Sequence, residues 1–129
     1  MTLDNLIGKS LERIEPDSAA IQRLLEAAKR NIKDAELKGL SNETRFDTAY
    51  KAIMQLANAA LQASGFRTLT SKPGHHQTLI QSLVKTVGIE TDRMIVLDAL
   101  RKQRNVTDYS GDLVEDAAVD ECLIQANTY

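Results

Sequence analysis

The stretch Arg101-Lys102-Gln103-Arg104-Asn105-Val106-Thr107-Asp108-Tyr109 gathers more polar chemistry than any other part of the chain. Leu97 and Leu100 precede Arg104 by seven and four residues, so at helical spacing the arginine continues an apolar stripe instead of leaving it. A guanidinium on such a face is costly unless paired. Asp108, four residues on, is the expected partner if the helix persists. Two readings follow. Arg104 and Asp108 form a structural pair at the end of a bundle, or a semi-buried Arg104 meets a phosphate or a second subunit through its planar fork of donors.

The remaining candidates are few. His75 and His76 are the only histidines, and adjacent helical residues point about 100° apart, so they do not converge on one metal ion. No metal site and no cofactor is expected: the chain has no glycine-rich phosphate loop, no Cys-x-x-Cys, no His-Glu-x-x-His and no Gly-x-Ser-x-Gly. The bland reading of the histidine pair is a helix start in which His76 packs and His75 is solvated. Cys122 is the one cysteine, so no intrachain disulfide forms. Asp120 and Glu121 beside it raise a thiol's pKa, which predicts an inert residue.

Elements of helical period must position these groups, and six segments carry that period. Leu3, Leu6, Ile7, Leu11 and Ile14 predict a short first helix ended by Pro16. Asp17 or Ser18 caps the second, with Ile21, Leu24, Leu25, Ala28, Ile32 and Ala35 on one stripe and Gly39 as its stop. Ser41 caps the third, with Glu43 in its first turn. Phe46, Ala49, Tyr50, Ile53, Ala57, Ala60 and Leu61 form one face of that helix, and Ala52, Met54, Leu56, Ala59 and Ala63 cover much of the rest. A helix apolar nearly all round is buried on more than one side, which makes this the central one, closed by Gly65. Residues 66–74 read as loop. A fourth helix carries His76, Leu79, Ile80, Leu83, Val84 and Val87. A fifth starts near a Thr91 cap, and a sixth runs from about Asp112 past Cys122. Strands are nearly absent. The pattern predicts a single all-α domain over 1–129, an up-and-down antiparallel bundle of four to six helices.

Composition sets the outer bounds. At 129 residues the chain can bury a core without disulfide or metal. Its 43% hydrophobic and 26% charged residues exclude wholesale disorder. A formal charge of −2 supplies no global attraction to nucleic acid or anionic lipid, so any basic surface is local. Asp4 and Glu12 interrupt the N-terminal segment, unlike a signal peptide, and no apolar run approaches the roughly 20 residues of a membrane span. The expected location is the cytoplasm.

Arg104-Asn105, three variable residues and Tyr109 resemble the Arg-polar-x3-His motif of HEPN helical-bundle proteins, with tyrosine where the family has histidine. Phe46-Asp47-Thr48-Ala49-Tyr50-Lys51-Ala52-Ile53 heads a long central helix, and Gly74-His75-His76 opens the next, also much as in that family. The likeness covers roughly residues 41 to 111. It implies a HEPN-like bundle that forms a homodimer, with the two motifs sharing one cleft for RNA or a nucleotide. It also implies metal-independent ribonuclease chemistry, a toxin–antitoxin or defence setting, and a nucleotidyltransferase-type partner protein. Carried over, Arg104 stabilises phosphate charge and Asn105 orients the phosphate or Arg104; Arg101, Arg104 and Asp108 of the same segment are the expected binding residues. Tyr109 departs from the motif: a phenol of pKa near 10 is only about one part in 10³ ionised at pH 7. Three readings stay open. One is an RNA- or nucleotide-binding dimer with weak or lost cleavage. The second is a working ribonuclease using Tyr109, His75 or His76, and the third is a non-catalytic interaction module.

Overall fold

The computed structural model describes residues 11–37, 39–69, 75–110 and 116–128, without the side chains of 75, 85, 106–110, 116, 127 and 128. It is an all-α bundle with one small two-stranded sheet. In chain order the elements are β1 (Leu11–Arg13), α1 (Ser18–Ala35), α2 (Asn42–Ala63), β2 (Phe66–Thr68), α3 (His75–Thr86), α4 (Thr91–Ser110) and α5 (Asp116–Thr128).

Helix starts follow side-chain capping. Asp17 Oδ1 accepts from the backbone N–H groups of Ala19 and Ala20 at 3.0 and 3.3 Å, satisfying two donors that α1 leaves open. Ser41 Oγ does the same for Thr44 at 3.2 Å. α1 stops at Ala35, ahead of the expected Gly39, where the Glu36 N–H turns back onto the carbonyls of Ile32 and Lys33. Thr91 is the first residue of α4 rather than its cap, because the Glu90 carbonyl already accepts from Arg93 and Met94. α5 begins at Asp116; its proposed start near Asp112 lies outside the described residues.

α2 is the central helix. It packs against α1, α3, α4, α5 and β2, and its buried residues lie all round its axis: Phe46, Ala49, Tyr50, Ala52, Ile53, Met54, Ala57, Ala59 and Leu61. Alanines at 49, 52 and 57 let neighbouring backbones close in. Consecutive helices pack in sequence from α1 to α4, and α5 then returns to α2. On one side of α2, Leu56 and Ala60 are partly exposed and Ala63 is exposed, and they line an open cavity with Ile21 and Leu25 of α1.

The last part of the first predicted helix is corrected. Leu11–Arg13 is a strand, antiparallel to Phe66–Thr68 with Leu11 opposite Thr68, Glu12 opposite Arg67 and Arg13 opposite Phe66. Leu3, Leu6 and Ile7 lie outside the described residues. Likewise, Phe66–Thr68 in the predicted loop is strand. The alternation is of period two: Phe66 and Thr68 are buried and Arg67 is exposed, forming an ion pair with Glu12 on the outer face. Gly65, at φ +91°, turns the chain out of α2 into β2, and its carbonyl accepts from the Ile14 N–H at 2.8 Å. A three-residue strand has too little periodicity to be read alone; its partner, more than 50 residues away, supplies the hydrogen bonds.

Candidate phosphate-binding cleft

Asp47, Tyr50 and Lys51 occupy one face of the first half of α2, at i, i+3 and i+4. His76 stands in the first turn of α3. Arg104 comes from the second half of α4. Packing of α3 and α4 beside α2 brings all of them to the wall of one cavity of about 470 Å³, which Gln55 and Asn58 line further along α2.

Arg104 Nε donates to Asp47 Oδ1 at 2.8 Å. Its guanidinium carbon also sits 5.2 Å from the centre of the Tyr50 ring, a cation–π distance. The ion pair is not deeply buried, with the two side chains 30% and 55% exposed. Tyr50 itself is 2% exposed. Its hydroxyl and His76 Nδ1 are 3.3 Å apart, so one donates to the other according to the imidazole tautomer. Burial pushes the Tyr50 phenol up to about 12, against the opposing charges of Arg104 and Arg101. At neutral pH Tyr50 is therefore a neutral hydrogen-bonding group and a platform for the guanidinium.

The sequence-predicted residues are only partly gathered here. Arg104 lies in the cleft, and its ion-pair partner among the described side chains is Asp47, 57 positions back in the chain; the expected pair with Asp108 lies outside the described residues. The side chains of Asp108 and Tyr109 lie outside the described residues; positions 104 and 109 of α4 are about 140° apart around the axis. Asn105 is exposed. Arg101, 18% exposed, is engaged by Asp98 on its own helix at 2.8 Å, with Lys102 Nζ 3.5 Å from the other carboxylate oxygen. The hydrogen bond from Arg101 is the main reason that the Asp98 carboxyl is held below its ordinary range. His76 enters the cleft, while the His75 side chain is not described.

Asp47, Lys51, Gln55 and Asn58 were missed as site residues. The signal was available: from Ala49 to Ala63 the polar residues other than Tyr50 are Lys51, Gln55, Asn58 and Gln62, and with Asp47 they form one stripe. Cys122 is fully buried, its Sγ 3.8 Å from the Phe46 carbonyl. Burial raises its thiol to about 12, with Asp47 and Glu121 adding to the shift, so the inertness has burial as its larger cause.

Among the described residues no group of three or more His, Cys, Asp or Glu is placed to hold a metal ion, and no helix is long and apolar enough to cross a membrane. Comparison with protein-family models, curated proteins and solved structures finds no match to any of them.

Proposed function

We propose that the chain is a HEPN-like protein that binds the phosphate of RNA or of a nucleotide in the Arg104 cleft, with ribonuclease activity weak or lost. One observation carries this reading. Arg104 is held by Asp47 and stacked on Tyr50 at a cavity that Lys51 and His76 also line, so two cations and an imidazole face one space large enough for a small ligand. The carboxylate fixes the guanidinium from its Nε side, an arrangement that preorganises the fork for an oxyanion. The motif half Arg104-Asn105 supports the same residue from the sequence.

The test is fluorescence anisotropy of a labelled single-stranded RNA at low salt, with chelator present. Arg104→Ala should weaken binding at least about tenfold, the range of a lost charge-assisted contact. Unchanged binding by that variant, or no binding by the wild type, removes the reading and leaves a protein-interaction module. The homodimer, the toxin–antitoxin or defence setting and the nucleotidyltransferase-type partner rest on the family resemblance. Light scattering at micromolar concentration decides the first: a species of 14.3 kDa excludes the dimer.

The contact between Tyr50 and His76 favours a second reading, an active metal-independent endoribonuclease. In it His76 takes or gives the proton as the 2′-hydroxyl attacks, Tyr50 orients the imidazole and Arg104 stabilises the phosphorane. Cleavage by wild-type protein that falls by about 10²–10⁴ in His76→Gln, with RNA binding retained, is its signature.

A further inference from the structure

We infer that the cleft reads the base as well as the phosphate: Gln55 and Asn58 offer amide N–H groups to an oxo-bearing base edge and so select uracil and guanine over cytosine and adenine. This rests on the phosphate-binding reading above and adds to it the class of nucleotide.

Both amides are oriented by the protein. Gln55 Oε1 accepts from Asn31 Nδ2 of α1 at 2.7 Å, and Asn58 Oδ1 accepts from Gln62 Nε2 at 3.3 Å. Each acceptor is thus engaged within the fold, while the two amide nitrogens take no partner among the described residues. Gln55 and Asn58 are three residues apart on α2 and line the same cavity as Arg104 and Lys51. The cavity thus presents two amides, an ammonium and a guanidinium as donors, with Asp47 Oδ1 engaged by Arg104; Thr68, Tyr50 and His76 complete its polar lining.

Apolar surface is available beside them for a planar ring. Met54 and Leu79 line the same space and are nearly buried. A nucleotide with its phosphate toward Arg104 and Lys51 brings its base to this second half of the wall. There the O4 of uracil or the O6 of guanine accepts from the amides. Cytosine and adenine carry an amino donor at that position, and donor would face donor.

The test is titration of the full chain, followed by amide NMR shifts and calorimetry, with UMP, CMP, GMP, AMP and inorganic phosphate. UMP should bind more tightly than CMP, and GMP than AMP, by roughly 5- to 150-fold, the discrimination that a good bidentate contact to a base gives. Gln55→Glu and Asn58→Asp keep the acceptor that Asn31 and Gln62 use and replace only the outward donor. Each should shrink or invert the UMP-to-CMP ratio, and the ratio cancels the added charge because both ligands carry the same phosphate. Equal binding of all four nucleotides, lost in Arg104→Ala, overturns the inference and leaves phosphate binding intact. A base preference unchanged in both amide variants also overturns it. Failure of every nucleotide and of RNA to bind removes the phosphate reading itself and the inference with it.

Discussion

Arg104→Ala tests how the cleft is held together. Had Arg104 formed a fully buried pair, its removal would leave an uncompensated charge and cost about 3–5 kcal/mol. The observed pair is different: Asp47 is 55% exposed and Arg104 30% exposed. Solvent screening then limits the ion pair to about 0.2–1 kcal/mol. The stack on Tyr50, at 5.2 Å over a buried ring, contributes about 0.5–2 kcal/mol more. The expected loss is about 0.7–3 kcal/mol, which at this chain length lowers Tm by roughly 3–11 °C. Urea unfolding of wild type, Asp47→Asn, Arg104→Ala and the double variant separates the parts. The cycle should return a coupling below about 1 kcal/mol between positions 47 and 104. Arg104→Lys keeps the charge and loses the flat stack, so it should fall between wild type and alanine. A loss above about 3 kcal/mol, or a coupling of that size, would refute the reasoning by placing the pair in the desolvated regime. A variant more stable than wild type would refute it from the other side.

Restoring the family histidine with Tyr109→His should raise metal-independent cleavage of single-stranded RNA by about tenfold or more, within the range of general acid–base groups, and adding Arg104→Ala should abolish the gain. A phenolate absorbance titration should show one tyrosine ionising late, because the folded Tyr50 phenol lies near 12. A folded-state pKa above the unfolded value of about 10 gives stability that is present below pH 10 and lost as pH rises toward 12. Tyr50→Phe removes both that late titration and the alkaline loss. Cys122 should resist a disulfide reagent in native protein and react fast once urea unfolds it, since the buried thiol near 12 is almost wholly protonated at neutral pH; rapid native labelling would contradict its burial.

Local pattern determined most of the helical framework. Asp17 and Ser41 announced two helix starts because capping needs only a side-chain oxygen within three residues of the N–H groups that it serves. The apolar residues of α2 announced a central helix because 3.6-residue periodicity sorts every position onto a face. Arg104 stood out for the same reason, as a cation on an apolar stripe. Long-range pairing lay beyond that logic. Leu11 at helical spacing from Ile7 and Ile14 fits a helix as well as a strand, and only Phe66–Thr68 arriving alongside makes it β. Arg104 had Asp108 one turn away in sequence, yet the ion pair described is with Asp47, because α4 packs beside α2 and brings a carboxylate 57 positions distant within 2.8 Å. His76 was one polar residue at a helix start until the packing of α3 set it against Tyr50. Periodicity fixes which way a side chain leaves its own helix; which side chains it meets is decided by how the helices pack, and the cleft exists only at that level.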